Sequence, residues 1–544
     1  MTTIVNGGFA EQAENEAPLG STNYIPHHGI YHSKKNKLRI VFDCSAKFAG
    51  TCLNDHLLKG PDLTNNLTGV LLRFRKHKVA VLCDVEKMFR VDESDRDFLR
   101  FLWWDYRMNV HLFGAASSPG CANYGLKYLA RQYRDDYPAA SQFLERNFYV
   151  DDGVVSVSNR EEAIHLTKEA RELCRTGGLR IHKFVSNDEA VIESIPESER
   201  AVAVTNSNLD FEEPVERALG IMWNIAVDAL FFKMSLKEKP TTRRGILSTV
   251  ASIYDPLGFV SPVVLNGKRM LQEMCRKGVG WDDPIPGTLQ PVWEQWCREL
   301  QLLEELRIPR CHHPSDFGHP LLVQLHHFSD ASMQGYGQCS YIRLMNQAEE
   351  VYCCLIFAKS RVAPSKVVTI PRLELTAAVV SAKVSSMLRD ELGYQEAQEF
   401  YWTDSRVILG YINNESRRFH TFVANRVQQI RERTSPDQWH YVPTDQNPAD
   451  HTSRGLSAGN LQDTQWFKGP NFLWERTLKF EDVTPELQVG DPGVKTISLA
   501  TSTSTEPLNL LKRLTRVSSW SMMVKVLSRL RMVAKGPRRG SVVQ

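Results

Sequence analysis

The chain has 544 residues, of which 42% are hydrophobic and 24% are charged, and its formal net charge is +3. That length gives room for three or four domains with cores of their own. No stretch approaches the ~20 uninterrupted apolar residues of a membrane span, and residues 1–20 are polar, acidic and rich in glycine, unlike a secretory signal. The 11 cysteines form no Cys-x-x-Cys framework, so we expect reduced thiols and no structural zinc.

Two early segments place acids at the ends of predicted strands. The apolar letters VAVLC directly precede Asp84 and predict a buried strand. A second apolar run leads into Asp151 and Asp152, with Gly153 expected at a turn and a further strand at 154–157. This pattern predicts a hairpin with an acidic tip. Neighbouring carboxylates repel one another unless a cation lies between them, which favours a divalent-metal site. An exposed Asp-Asp-Gly turn is the alternative for this tripeptide alone.

A second group of acids lies far downstream. Asp330 ends an apolar run, Glu374 falls in the first turns of a predicted helix, Asp404 ends another strand, and Asp450 follows later. Residues 335–358 read as paired strands between the first two acids. Each acid alone has an ordinary alternative, as a turn cap, a solvated first-turn helix residue or a loop acid. The ordered set favours a site.

The first group resembles the catalytic segments of reverse transcriptases, in which YVDD in a hairpin is the metal-binding signature and Asp84 matches the first catalytic aspartate. The resemblance implies that Asp84 and Asp151 bridge two Mg²⁺ ions while Asp152 supports their geometry. Other motifs occur in the family's order, and they imply nucleotide-binding residues at Arg39, Phe89, Phe113, Gly114 and Lys183.

Each of these residues has a role implied by the resemblance. Arg39 and Lys183 are fixed cations suited to the charge that develops on phosphates. Phe89 occupies the place of a bulky ring that leaves no room for a 2′-hydroxyl, which implies deoxynucleotide selection; an ordinary core aromatic is the alternative. Phe113 and Gly114 match the loop beneath the template base.

The second group resembles ribonuclease H in its order of strand, helix, strand and late acid. The resemblance implies that Asp330, Glu374, Asp404 and Asp450 hold two metal ions for hydrolysis of the RNA strand in an RNA–DNA hybrid. One departure is Asp445, which stands where many relatives carry a histidine, so we expect metal release or product exit to differ.

The region between the two groups resembles BEL/Pao long-terminal-repeat retrotransposon Pol polyproteins, in the segments 241–258 and 281–284, as does the upstream segment 24–29. We therefore predict a Pol polyprotein fragment, with the resemblance extending from about Tyr24 to Gly455. An aspartic protease is not predicted, because such an enzyme needs an Asp-Thr-Gly or Asp-Ser-Gly loop and the sequence has neither.

The predicted fold is a multidomain α/β and α+β protein, a right-hand polymerase with fingers, palm and thumb followed by a ribonuclease H-like mixed sheet with helices. The expected domains are reverse transcriptase fingers and palm with shortened N-terminal fingers (1–230), a thumb or connection-like region (231–316), a ribonuclease H-like domain (317–456), and a linker with a basic tail preceding a missing integrase region (457–544). The tail has two readings, a helix pair that binds nucleic acid or the front of an integrase region.

The predicted function is RNA- and DNA-directed DNA polymerisation joined to hybrid-specific ribonuclease H cleavage, with two Mg²⁺ per site and Mn²⁺ as the alternative ion. The expected partners are an RNA template, a DNA primer, an RNA–DNA hybrid and deoxynucleoside triphosphates. Basic clusters at 34–39, 73–78 and 243–244 favour template and primer contact, although a solvated surface explains each alone. We expect no membrane contact and a cytoplasmic location, with virus-like particles as a further setting. The alternative is an inactive truncated remnant that keeps nucleic-acid binding or ribonuclease H activity only.

Overall fold

A computed structural model describes the protein at residues 2–13, 20–32, 37–86, 90–201, 215–234, 239–481, 487, 490–495 and 519–534. The chain divides into two compact units, Met1–Val494 and Lys495–Gln544. Phe89 lies outside the described residues. Among the helices that the structure does describe, none is long and apolar enough to cross a membrane.

The first strands and helices lie in the regions that the sequence predicts as fingers and palm. In chain order they are α1 (Thr2–Asn6), β1 (Ala10–Gln12), β2 (His27–His32), β3 (Lys37–Phe42), α2 (Leu53–His56), α3 (Leu67–Phe74), β4 (Val79–Glu86), β5 (Arg100–Phe101) and β6 (Tyr106–Met108). Strands β1, β6 and β5 form one antiparallel sheet, and β2 pairs with β3. Side chains of Ile25, Phe42, Phe101 and Met108 pack together between these sheets.

The palm is an antiparallel four-stranded sheet with the order β7-β8-β4-β9. Its further elements are α4 (Ser118–Gln132), α5 (Pro138–Arg146), β7 (Phe148–Tyr149), β8 (Asp152–Val157), α6 (Arg160–Thr176), β9 (Arg180–Ser186) and α7 (Glu189–Glu193). Successive side chains of a strand point to opposite faces. In β4, Val81 and Cys83 therefore join the core with α5 and α6, whereas Ala80 and Leu82 join a second core. Both faces of β4 are covered, which explains the nearly continuous apolar run before Asp84.

The next region is an antiparallel sheet with three helices. Its elements are β10 (Val215–Ala218), β11 (Ile221–Asn224), β12 (Ala229–Phe231), α8 (Arg243–Ser252), α9 (Ser261–Arg276), α10 (Gln290–Leu300) and β13 (Ile308–Pro309). The sheet order is β10-β11-β12-β13. Thr242 caps α8, with its side-chain oxygen accepting from the Gly245 N–H at 3.2 Å.

A five-stranded mixed sheet with the order β16-β15-β14-β17-β18 follows. Its elements are β14 (Leu322–Ala331), β15 (Gly335–Met345), β16 (Val351–Val362), α11 (Ile370–Leu392), β17 (Gln398–Thr403), α12 (Arg406–Asn413), α13 (Thr421–Arg431), β18 (Trp439–Tyr441) and α14 (Asp450–Arg454). Strands β14, β15 and β16 are antiparallel, whereas β14–β17 and β17–β18 are parallel. Gly393 ends α11 in the left-handed region, with a φ of 67°.

The two faces of this sheet have different covers. His327 stacks on Tyr401, whose hydroxyl contacts Ser385 of α11. The neighbouring Phe328 points the other way and packs against Phe472. Helix α11 therefore covers one face and the segment around Phe472 covers the other.

Residues 457–481, which the sequence assigned to a linker, belong to the compact unit. The Trp466 side chain is fully buried and its indole N–H donates to the Phe259 carbonyl at 2.7 Å. Leu473 joins the same core, and its carbonyl accepts from the buried Arg343. A linker has no such core contacts, so this part of the expected linker is corrected. In the second unit, the structure describes α15 (Trp520–Ala534).

Two buried arginines join the palm to the regions that follow. The side chain of Arg310 is 0% exposed and binds both carboxylate oxygens of Asp228 and three carbonyls within 74–78. Arg75 donates to the carbonyls of Arg310 and of Leu355 in β16. Strand β4 begins directly after this contact, so its position is tied to β13 and to the mixed sheet.

Candidate active sites

The palm brings its three predicted acids to one edge of the sheet. Asp84 on β4 lies directly opposite Asp152 on β8, and the Asp151 carbonyl accepts from the Val85 N–H at 2.9 Å. The turn is formed by Val150, with a φ of 60°, and Asp151. The tip is therefore acidic as predicted, but the turn lies before Asp152 and not at Gly153.

Gly153 is a strand residue opposite Cys83. A Cβ at this position would lie 2.7 Å from the Cys83 sulfur and 2.7 Å from the Phe148 ring. The glycine thus permits the close approach of β8, β7 and β4, which is the reason for its presence here.

The palm carboxyls influence one another electrostatically. Loss of surrounding water raises the pKa of Asp151, and the charge of Asp84 raises it further. The Asp152 side chain reaches solvent, yet the surrounding protein displaces enough water to raise its pKa to about 6, with the charges of Asp151 and Asp84 adding to this effect. Such a set of acids favours a cation in its midst.

Lys183 supplies one positive charge to this group. Its φ is 53°, in the left-handed region, at an irregularity in the pairing of β4 with β9. A bulge re-aims a side chain, and here the Lys183 ammonium contacts the Asp84 carboxylate. The sequence predicted Lys183 near the site, but it did not predict His182, whose Nε2 lies 3.7 Å from the same carboxylate. Burial lowers the pKa of His182.

Two of the predicted nucleotide-binding residues share a cavity in the fingers. Arg39 on β3 and Phe113 line a cavity of about 780 Å³. Ile40 and Phe42, on the same strand as Arg39, also line it. The next residue, Gly114, has a φ of 103° and its carbonyl accepts from the Asn54 amide at 3.0 Å. Asp84, Asp151 and Asp152 do not line this cavity. The predicted nucleotide-binding residues Arg39 and Phe113 therefore do not share a cavity with the palm acids.

The mixed sheet brings its four predicted acids into electrostatic contact. Asp330 ends β14, Glu374 lies near the start of α11, Asp404 follows β17, and Asp450 begins α14. Burial raises the pKa of Asp330 to about 6, and the charges of Asp404 and Asp450 add to this. Burial likewise raises the pKa of Glu374 to about 7, with Asp330 and Asp404 contributing.

Three neighbours that the sequence did not reveal hold these acids. The Ser453 hydroxyl donates to Asp330, the Ser405 hydroxyl donates to Glu374 at 2.7 Å, and the Arg454 guanidinium contacts Asp450. Their positions offer a weak signal, because each follows a predicted acid by one to four residues on the same element or turn. Asp445, by contrast, is exposed in a short helical turn.

The donor chemistry of both groups fits Mg²⁺, a hard cation that prefers carboxylate oxygens. Within the parts of the chain that the structure describes, however, no three His, Cys, Asp or Glu side chains converge into a group that could hold a metal ion. The acids instead contact Lys183, Arg454, Ser405 and Ser453. The acids therefore fit Mg²⁺ in residue type and charge. To bind the ion, their carboxylates must move closer together.

Together, the antiparallel four-stranded sheet and the five-stranded mixed sheet belong to a multidomain α/β fold, as predicted. Residues 242–405 match the family model "Pao retrotransposon-like RNaseH-like domain". The match confirms the predicted relation to BEL/Pao-type retroelements for this segment, which covers α8 to β17 and includes Asp330, Glu374 and Asp404.

Among solved structures, the chain is similar to one described as "Structure of the foamy viral protease-reverse transcriptase in complex with RNA/DNA hybrid". The identity is 12%, the TM-score is 0.48, and the match covers 81% of this chain and 52% of that chain. The chain thus spans about half the length of that protein. No curated protein matches the chain.

Proposed function

We propose that the chain is a retrotransposon reverse transcriptase with ribonuclease H activity, an RNA- and DNA-directed DNA polymerase that also cleaves the RNA strand of a hybrid. The observation that carries this proposal is the pair of acid groups, each at strand ends of its own sheet and each with carboxyl pKa values raised by burial and mutual charge. Carboxyl groups whose pKa values are shifted by loss of water and by neighbouring charges are typical of functional sites. We also propose the domain boundaries predicted above, with the segment up to 481 added to the ribonuclease H-like part.

In the polymerase half, the resident residues bind and orient. Asp84, Asp151 and Asp152 are oxygen donors for Mg²⁺, which when bound supplies charge neutralisation at the phosphates and an activated 3′-hydroxyl. Lys183 brings a cation to the same edge, where developing phosphate charge needs stabilisation. Arg39 lies exposed on β3, suited to bind two oxygens of a triphosphate at once.

In the nuclease half, the four acids have different environments and therefore different roles. Burial raises the pKa values of Asp330 and Glu374. Each carboxyl therefore stays protonated to a higher pH than an ordinary acid, and it would lose this proton on binding a cation. Asp450 is half-buried at the start of α14 and held by Arg454, so that it can exchange this partner for a cation. Ser405 and Ser453 orient the carboxylates beside them.

The proposed partners follow from this chemistry. They are an RNA template, a DNA primer, the hybrid that they form and deoxynucleoside triphosphates, in the cytoplasm or in virus-like particles. Nucleic-acid binding through lysine and arginine weakens steeply with added salt, so the affinity for hybrid should fall between 50 and roughly 200 mM salt.

Single substitutions separate the two activities. Asp151→Asn should abolish extension of a DNA primer on an RNA template with Mg²⁺ and spare hybrid cleavage, and Asp404→Asn should do the reverse. Asp136→Asn and Asp437→Asn are matched controls, because both residues are exposed acids outside the two groups. Extension by Asp151→Asn at the wild-type rate would contradict the assignment.

A second candidate is a remnant that binds nucleic acid without polymerase activity. It is favoured by one observation, that no three metal-ligating side chains converge among the described residues. A wild-type protein that neither extends nor cleaves, yet binds hybrid in a salt-sensitive way, would establish the remnant. If the wild-type protein cleaves the hybrid but does not extend the primer, it is a nuclease without polymerase activity.

A further inference from the structure

A cavity of about 590 Å³ lies where β13 meets the mixed sheet, away from both acid groups. Cys311, Cys353 and Cys354 line it together with Arg75. Its rim includes the exposed residue Gln462, so small molecules can enter from solvent. The proposed polymerase and nuclease chemistry does not explain why three cysteines and an arginine line the same cavity.

Cys311 lies beside an imidazole. Its thiol donates to the Lys76 carbonyl at 3.9 Å, and the neighbouring His313 favours its thiolate. The His313 Nδ1 lies 3.0 Å from the Pro314 carbonyl, which can only accept, so Nδ1 carries a proton and Nε2 is the nitrogen left to take up the thiol proton. A carbonyl that fixes the imidazole in this way orients the base of a nucleophilic thiol.

The surroundings of Cys311 favour its thiolate. Burial alone would raise the pKa of this thiol, but His313 and Arg310 lower it below its ordinary value. The opposite holds for Cys354, whose pKa burial raises to about 11. Electropositive surroundings of this kind are typical of reactive thiols in proteins, and Cys311, although buried, lines the cavity.

Cys354 is placed to react with its neighbour. Its sulfur lies 3.3 Å from the carbonyl oxygen of His312, the residue directly after Cys311. Both sulfurs also interact electrostatically with Arg75 and with each other. Both cysteines therefore line one cavity, and the Cys354 sulfur lies against the residue that follows Cys311.

We propose that Cys311 and Cys354 are a peroxide-responsive thiol pair, in which Cys311 is the attacking thiolate and Cys354 resolves it into a disulfide. The Cys311 thiolate attacks one peroxide oxygen, the O–O bond breaks, and the leaving oxygen takes up a proton as water or an alcohol. The Cys354 thiol then loses its proton and attacks the Cys311 sulfenic acid, the S–S bond forms and water leaves. Overall, two thiols are oxidised by two electrons and one peroxide is reduced.

The first test measures the nucleophile. Iodoacetamide alkylation of each cysteine is followed by peptide mass spectrometry at pH 6.0 and 8.5, and the ratio of the two rates cancels accessibility. An ordinary thiol with a pKa near 8.5 should react about 150-fold faster at the higher pH. Cys311 should gain less than about 20-fold, and His313→Asn should restore the ordinary ratio. A wild-type ratio for Cys311 equal to that of the exposed Cys275 would overturn the proposal.

Other charged and titratable groups bear on that ratio. The groups that face Cys311 or line its cavity are Arg75, Arg310, His313, Tyr352, Cys354, Tyr394, Glu305, Arg307, Asp463 and Lys468. Tyr352 and Tyr394 have pKa values raised by burial and stay neutral between pH 6.0 and 8.5, whereas contact with Cys311 raises the pKa of His313.

The second test maps the bond. Full-length protein is treated with hydrogen peroxide, digested without reductant and analysed for linked peptides. A Cys311–Cys354 link that dithiothreitol reverses is expected; Cys354→Ser should remove the link and leave the Cys311 alkylation ratio unchanged, whereas Cys297→Ser should keep the link. Oxidation of Cys311 to sulfinic acid without a link in the wild type, or a link from Cys311 to another cysteine, would refute the pairing.

Discussion

Replacing Glu374 by glutamine should stabilise the protein at pH 8 in the absence of divalent ions. Glu374 lies near the start of α11 in a site with little water, beside Asp330 and Asp404, and burial followed by these charges raises its pKa from 4.5 to about 7. At pH 8 its carboxylate is ionised in an environment that disfavours the charge. Glutamine has nearly the same shape as glutamate and can still accept a hydrogen bond from the Ser405 hydroxyl, but it carries no charge.

The magnitude follows from linkage. A carboxyl whose pKa is higher in the folded state binds more protons folded than unfolded, so stability falls as pH rises from 4.5 to about 7. One pKa unit corresponds to ~1.4 kcal/mol, which gives an upper limit on the order of 3 kcal/mol for Glu374 above pH 7. Below pH 4.5 the protonated glutamic acid and glutamine should be equivalent.

Thermal melting in EDTA at pH 5 and at pH 8 measures this difference. Glu374→Gln should raise Tm by a few degrees at pH 8 and by less than about 1 °C at pH 5. Glu396→Gln, a substitution of an exposed glutamate, is the matched control and should change Tm equally at both pH values. Mg²⁺ should raise the Tm of the wild type more than that of Glu374→Gln. A Tm difference independent of pH would refute the electrostatic explanation.

Three further substitutions test separate contacts. Gly153→Ala should destabilise by roughly 1–3 kcal/mol, because its Cβ would lie 2.7 Å from the Cys83 sulfur, whereas Gly287→Ala, with open space around the Cβ, should be nearly neutral in urea unfolding. Arg310→Met should destabilise by about 3–5 kcal/mol, because it leaves the half-buried Asp228 without its ion-pair partner and three carbonyls without a donor. Arg298→Met, at an exposed site, should not. Ser453→Ala removes a hydrogen bond that lowers the pKa of its acid neighbour, so the acidic limb of the hybrid-cleavage pH profile should move to higher pH; an unmoved limb would contradict this role.

The strands that deliver the acids were predictable because their signal is local. Apolar runs that end in Asp84, Asp330 and Asp404 became β4, β14 and β17 with the acid at or near the end of the strand. The predicted position of the hairpin turn was wrong, because a glycine can serve either a turn with positive φ or a close approach of two strands. Gly153 serves a close approach to Cys83, while the positive φ of the turn falls on Val150, a residue type that rarely adopts it.

The parts that the sequence did not reveal depend on contacts distant in the chain. Arg75 was predicted as part of a basic cluster and Arg310 was not singled out, but their partners lie on β16 and on the turn after β11. Burial of an arginine is decided by these distant acceptors, which no local pattern records. The same holds for Trp466, whose partner is the Phe259 carbonyl, and it explains why a Pro- and Gly-containing segment was predicted as a linker.

Helix α11 connects the acid group of the mixed sheet with the segment that precedes β4. Its first turns carry Glu374, and its last turn is held by the palm, where Arg73 contacts Glu391 and the Lys76 ammonium donates to the Leu392 carbonyl at 2.6 Å. Cations at a helix C-terminus also complement its dipole. At 1.5 Å per residue, α11 places Glu374 about 27 Å from that contact. Because the helix is rigid and its last turn is held, the distance between Glu374 and the segment 73–76 is constant.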